Sequence, residues 1–477
     1  MKTAFVSFCL LAALAAGAVR GQDLPELGDA AAATLSPAQE RAIGYSMLRQ
    51  LRELPAFLED PDVTDYLTST GYRLVAASPD SRIDFTFFAL RDSTVNAFAM
   101  PGGFIGVHTG LILTAQSESE LAAVLAHEVA HVTQRHIARL VAQQERSSML
   151  SMAAVALAIL AARSNPQAAA GVMAGAQAQQ LASRLAFTRD NEREADRVGV
   201  MILERAGFDP HAMPVFLERL QRATRLLDSG NYPSYMRTHP VTYERIADVQ
   251  NRTFTLPYRQ IPDSIEFHLV RAKLRAQQGE ATAAVAFFDE LLTERKFNSE
   301  AGARFGLVQA LLRNGDLARA ERELPAVIKA TGPHPMVVAL RARLLVARKD
   351  NAGALALLAE GVKAFPGARS LVYDYAEALL TAGRTEEAIV ATDSQLMRDQ
   401  NDGRLYELQA RAFSMQGKAL MKHKSLAEAY LVRGNLQLAI EQLQLAVGVG
   451  DGDFYQLSSA EARLRELRSI AANLPKK

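Results

Sequence analysis

Tryptophan is absent from this 477-residue sequence, and cysteine appears once, at Cys9. The chain therefore gains nothing from disulfide cross-links, and an oxidising compartment costs it nothing. Charge of one sign is lacking too. Lys and Arg number 53 against 52 Asp and Glu, a formal +1, so no global field draws nucleic acid or anionic lipid to the surface. Aromatic residues make up only 7%, and no apolar run reaches the ~20 residues of a membrane-spanning helix. What remains is 49% hydrophobic and 22% charged, with 18 Pro and 29 Gly. That is the composition of a globular protein with ample core, and it excludes long disorder and collagen-like repeats. The length is about three times a typical domain of ~150 residues, so two or more domains are expected.

The first residues read as a secretory signal peptide over 1–21. Lys2 precedes an almost unbroken apolar run from Ala4 to Ala16, and Ala16-Gly17-Ala18 or Gly21 before Gln22 supplies the small residues of a cleavage site. Cys9 lies inside the run, too early to be a lipidated cysteine after a complete signal region. Cleavage also removes Lys2 and Arg20, which takes the formal charge from +1 to −1. Left uncleaved, the segment would hold the protein outside the cytoplasm but attached. Residues 22–35 are Ala-, Gly- and acid-rich, a linker.

A helical period begins at Ser36-Pro37, with Ser36 as N-cap, and a second helix follows Pro61. Residues 83–90 and 96–100 read as strands; Pro101-Gly102-Gly103 interrupts them before 104–107 resumes. Proline cannot donate to a ladder, so this ribbon belongs near a sheet edge. Residues 118–144 read as one long helix. The fourteen apolar residues 149–162 are too short for a straight span and are read as a helical hairpin, either packed on the protein or touching a membrane peripherally. Further helices are expected over 190–206, 214–227 and 242–251. Beyond Pro262 turn markers recur at Gly279, Gly315, Lys349 and Gly383, at intervals of 36, 34 and 34 residues. That period describes helical hairpins of tetratricopeptide type. Gly417 follows 34 residues later and Gly434 only 17 after that, so residues 418–432 are expected to serve two neighbouring units at once. Residues 458–472 read as the cap helix that such stacks need.

The chemistry concentrates at His127-Glu128-Val129-Ala130-His131. Positions i and i+4 share a helix face, so both imidazoles reach one metal, while Glu128 lies about 100° round and can act on water as a general base. Apolar neighbours Val124, Leu125, Val129 and Val132 mark the helix as buried, where ionisable groups without a purpose are expensive. A catalytic zinc needs a third protein ligand and an open position. Glu192 and Asp196 share a face of a later helix and Glu194 points away. Glu192 is therefore expected as third ligand, and Asp196 as acceptor for a ligand histidine's free N–H. Gln134 stands where the HExxHxxGxxH pattern requires Gly. His136 lies about 140° round from His131 on a continuous helix and is not a fourth ligand. His108 follows a strand and is read either as structural or as near substrate.

HExxH followed by ExxAD, the earlier NAFAMPGGFIGVHTGLI and the later THPVTYERI resemble the M48 family of zinc metallopeptidases. The resemblance covers residues 36–255 as peptidase, with 261–477 as repeats. It implies an α+β fold: a mainly helical zincin-type domain with a small edge sheet, followed by an all-α tetratricopeptide-repeat solenoid. It implies one Zn2+ per chain on His127, His131 and Glu192, with Glu128 as base and Asp196 behind a ligand. His239 in the His-Pro loop is implied near the metal, either as a latch on the open position or as an oxyanion donor, with Arg245 anchoring the following helix. The implied role is a periplasmic endopeptidase acting on unfolded or stalled outer-membrane proteins. The implied partner of the repeats is the barrel assembly machinery, and no nucleic acid is expected. The alternative is a chaperone or assembly adaptor with minor or latent proteolysis.

Overall fold

The computed structural model describes residues 35–143, 189–225 and 234–473. The signal segment, nearly all of the linker, the apolar run 149–162 and residues 228–231 lie outside them. Among the described residues no helix is long and apolar enough to cross a membrane.

The first half begins with α1 (Pro37–Arg52), whose start is fixed by a Ser36–Gln39 capping box, and α2 (Pro61–Ala76), capped by Asp60. Strands β1 (Thr86–Leu90), β2 (Ala97–Met100) and β3 (Phe104–His108) form a sheet of order β1-β3-β2. β1 runs parallel to β3 and β2 antiparallel to it, with Ala97 opposite Val107 and Met100 opposite Phe104. The interrupted ribbon thus places β2 at an edge. One sheet face, with Phe88, Phe98, Met100 and Phe104, packs on Met47, Leu48 and Leu51 of α1. The other, with Phe87, Ala89, Ile105 and Val107, belongs to the main core.

After α3 (Thr109–Thr114) comes α4 (Glu118–Thr133), the centre of this half: every residue from Glu118 to His131 is buried. The sequence predicts one helix through 144, but the structure breaks it. Arg135 adopts a left-handed backbone (φ 51°), and α5 (His136–Gln143) starts on a new axis. Nothing in an arginine announces such a turn, since glycine is its usual occupant. Here the conformation is held by Arg135 Nη2, which donates to Leu35 O (2.7 Å) and Glu40 Oε1 (3.0 Å). The half closes with α6 (Arg189–Arg205), α7 (Ala212–Arg225), α8 (Ser234–Thr238) and α9 (Tyr243–Phe254).

Twelve helices follow among the described residues, from α10 (Ile265–Ala276) to α21 (Phe454–Asn473). Every marker read from the sequence, Lys349 included, occupies left-handed backbone, with φ between 56° and 80°. Residues 419–432 pack against both 403–415 and 436–449, as the 17-residue interval predicts.

The repeats wrap back over the first half. Lys273, 3% exposed, bonds Asp60 (2.7 Å) and Asp62 (2.6 Å) at the start of α2. Arg369 bonds Asp65 (2.5 Å), while Arg49 and Arg52 of α1 donate to Gly434 O (2.9 Å) and Val432 O (3.0 Å). Glu118 accepts from Ser264 N and Oγ at 2.8 and 2.7 Å, which ties the first turn of α4 to the cap of α10. Burial opposes ionisation of Asp62, but Lys273 outweighs it and holds the carboxyl below its ordinary range. Such a group contributes stability above its unfolded pKa of ~3.9 and loses it as pH falls through the lower folded value. Lys273→Met leaves two carboxylates in the interface without their cation. It is expected to destabilise the protein by about 3–5 kcal/mol, read by thermal or urea denaturation at neutral pH.

Candidate metal centre

Both histidines of the HExxH segment sit on the buried face of α4, 2% and 1% exposed, and their Nε2 atoms lie 2.9 Å apart. α6 approaches closely at Gly199, where a Cβ would stand 3.3 Å from the His127 backbone nitrogen. That approach brings Glu192 in: Oε2 is 3.5 Å from His127 Nε2 and Oε1 is 3.5 Å from His131 Nε2. His239 supplies the fourth donor, with Nδ1 3.3 Å from His127 Nε2 and 3.0 Å from Glu192 Oε1. The four donor atoms lie within 4.8 Å of one another and all four residues are buried.

This donor set fits zinc. Ligand atoms 2.0–2.1 Å from a tetrahedral ion stand about 3.3–3.4 Å apart, close to the observed spacings. Two imidazole nitrogens brought together beside a carboxylate make a site for a borderline-soft cation. Glu128, fully buried on the same helix, has no hydrogen bond on either carboxylate oxygen; His239 Nε2 stands 3.4 Å from Oε1.

Behind these groups each helix contributes a brace. Asp196 Oδ1 lies 3.0 Å from His127 Nδ1, the nitrogen that faces away from the cluster. Arg245, 3% exposed and in the first turn of α9, grips Asp196 with two hydrogen bonds of 2.8 Å. It also reaches Glu192 Oε2 at 2.6 Å and Pro240 O at 2.8 Å. The sequence assigned Arg245 to anchoring its own helix; it anchors the carboxylates as well. Tyr235 was not foreseen at all. Its ring stacks on His239 (centroids 4.8 Å apart, 26° between planes), and its backbone O accepts from His239 N. His239 thus sits just past α8, packed rather than hanging from an open loop. His136 is also drawn in, because the break at Arg135 brings its Nδ1 to 2.8 Å from His131 Nδ1. It does not join the donor set, but the angle computed for a continuous helix is not the reason. His108 stays apart, bonded at Nδ1 to Thr94 Oγ1 (2.9 Å).

The electrostatics follow this geometry. Burial alone would lower the His127 pKa, but hydrogen bonds to Asp196 and Glu192 carry it up to about 9. Burial holds His131 well below the usual imidazole range, and the charge on His127 adds to the effect. Burial opposes ionisation of Glu192 and Asp196, yet both are lowered, Glu192 by His239 and Arg245 and Asp196 by Arg245 and His127. The cluster thus gathers the buried carboxylates of Glu192 and Asp196 around two cations, His127 and Arg245, and a metal ion would take the place of the proton that His127 turns toward Glu192.

Comparison with known proteins agrees with this chemistry. Residues 61–253 match peptidase family M48, and residues 275–344 and 345–412 match a tetratricopeptide repeat. A beta-barrel assembly-enhancing protease of Escherichia coli is 30% identical over 457 residues, 94% of this chain and 91% of that one. A Vibrio cholerae protein is 38% identical over 315 residues, 64% of this chain and 63% of that one. A mitochondrial metalloendopeptidase of Schizosaccharomyces pombe is 32% identical over 200 residues, 42% of this chain and 55% of that one. The M48 match spans the whole donor cluster and the likeness to the E. coli protein runs nearly end to end, so the chain belongs to peptidase family M48, joined to tetratricopeptide repeats.

Proposed function

We propose that this chain is a periplasmic zinc endopeptidase of outer-membrane protein assembly and quality control, exported by residues 1–21 and docked to its protein partners through the repeats. The observation that carries the reading is the buried quartet of His127, His131, Glu192 and His239, its donor atoms within 4.8 Å of one another, beside the unbonded carboxylate of Glu128. When bound, zinc supplies Lewis acidity that polarises the scissile carbonyl and acidifies water. His127, His131 and Glu192 would hold the ion, and Asp196 would keep the His127 proton on Nδ1. Glu128 takes the proton from water and returns it to the leaving amine. One zinc per chain is expected. His131→Ala should lose it, while Glu128→Gln should keep it and lose about 10²–10⁴ in rate; metal analysis and peptidase assays on the purified mature proteins check both.

Substrate backbone is recruited at the edge of β2, where Ala97 is buried and Ala99 is the partly exposed outward position. His108 N donates to Asn96 O, so the ladder uses 96, 98 and 100, and the peptide groups of Val95, Ala97 and Ala99 face outward. An extended peptide pairing there is selected by its availability as a strand rather than by side chain, which suits unfolded or stalled chains. Ala99→Pro removes one outward donor without touching the ladder. It should lower kcat/KM on an unfolded protein by about two- to tenfold at unchanged zinc content.

The same edge supports the latch reading of His239. Val95 O is already taken by Tyr235 N (3.1 Å), so the segment carrying His239 uses the outward carbonyl just before β2 while its imidazole stands among the zinc donors. A substrate strand and this segment compete for one edge, and partner engagement by the repeats releases the latch. His239→Ala is expected to leave activity on an unfolded protein at or above wild type. A transition-state donor would instead cost roughly 3 kcal/mol, about a hundredfold, and such a fall with zinc still bound removes the latch. The quartet also favours a second reading, an assembly adaptor whose proteolysis is mostly latent. Full function of Glu128→Gln in cells would establish it.

A further inference from the structure

We infer that His136 is a positioning residue of the metal centre, setting the tautomer and ring orientation of His131 through a hydrogen-bonded chain that ends on Glu194 and Arg139. The inference rests on the reading of His131 as a zinc ligand. His136 Nδ1 lies 2.8 Å from His131 Nδ1, the rings meeting edge to face with centroids 4.8 Å apart and 79° between planes. His136 Nε2 lies 3.2 Å from Glu194 Oε2, which Arg139 Nη2 holds at 2.6 Å. Both imidazoles are buried, His136 at 0% exposure.

The proton positions follow from the donor set. His131 Nε2 must present a lone pair to a metal, so its hydrogen is on Nδ1 and is donated to His136 Nδ1. His136 then accepts on Nδ1, and its own hydrogen is on Nε2, donated to Glu194. A carboxylate that also receives Arg139 is a fixed acceptor, so the chain has one self-consistent direction. Were His136 absent, a buried His131 Nδ1–H would lose this acceptor, and the competing tautomer with hydrogen on Nε2 cannot ligate through the nitrogen that faces the cluster.

The two ligand histidines are thus braced differently, His127 by the anion Asp196 and His131 by a neutral ring. The brace exists because the helix breaks. Arg135 accepts a left-handed conformation that costs a non-glycine residue roughly 1–2 kcal/mol, and its bonds to Leu35 and Glu40 offset the cost. The break is what turns the next histidine back onto the metal helix.

The test compares His136→Leu, which removes the acceptor, with His136→Asn, whose side-chain oxygen replaces Nδ1 as acceptor. Zinc affinity is measured by chelator competition on the mature full-length proteins, and the visible spectrum is recorded after cobalt substitution. His136→Leu is expected to lose zinc affinity by about 10–100-fold and to shift the cobalt bands, and His136→Asn to restore most of both. A folded His136→Leu with wild-type affinity and spectrum overturns the inference, as does equal loss in the Leu and Asn variants. Glu194→Ala keeps both rings and frees the far end of the chain, so it serves where the histidine variants fail to fold. It should weaken zinc and broaden the cobalt spectrum, and an unchanged affinity and spectrum there also overturns the inference. His131→Ala is the control: full zinc occupancy in it would remove the ligand reading itself, a different failure from a silent His136.

Discussion

Everything at the metal centre depends on one buried cation. The Arg245 guanidinium meets Asp196 through two parallel hydrogen bonds, Glu192 through a third contact and the Pro240 carbonyl through another. Without it, Glu128, Glu192 and Asp196 would share a desolvated space, and removing one partner of such a group leaves an uncompensated charge that typically costs several kcal/mol. The geometry is also a linkage. Asp196 aims His127, Glu192 belongs to the donor set, and Pro240 adjoins His239, so one side chain registers α6 and α9 and the residue entering from α8.

The α4 helix carries the site between two fixed ends. At its start Glu118 is bonded to Ser264, the cap of the first repeat helix, and to Tyr66 Oη. At its finish the chain turns through Arg135 and returns His136 to His131. The metal-facing residues lie on a rod pinned to the repeats at one end and to α1 at the other. Rigid support of this kind holds a constellation to the tolerance that catalysis requires.

How much of this the sequence discloses depends on whether local rules reach the residue in question. His127, Glu128, His131, Glu192 and Asp196 were legible because helical spacing converts sequence offsets of one and four directly into faces. The repeat markers were legible because a left-handed turn recurs every 34 residues or so, and Lys349 could be placed by phase although it lacks the usual glycine. His136 was assigned the wrong direction because the extrapolated helix ran through Arg135, whose conformation is fixed by Leu35 and Glu40 about a hundred residues away. Tyr235 and the carboxylate grip of Arg245 are likewise tertiary facts, formed between elements whose packing no window of sequence contains. The edge position of β2 was readable from Pro101, but the parallel pairing of β1 with β3 was not.

The contacts of Arg49 with Gly434 and of Arg52 with Val432 join residues 385 and 380 positions apart. A loop of that size costs little extra at equilibrium, since closure entropy grows only with the logarithm of length. Its consequence is one of timing. The arginine face of α1 receives its carbonyl partners only after nearly the whole chain has emerged and most repeats have stacked, so the contact belongs to the last events of folding. Helical repeats add locally and quickly, each on its neighbour, and the growing stack delivers the carbonyls to α1 much as a tape measure rewinds onto its catch. A chain that misfolds in any intermediate repeat arrives out of phase and leaves those arginines without their carbonyl partners.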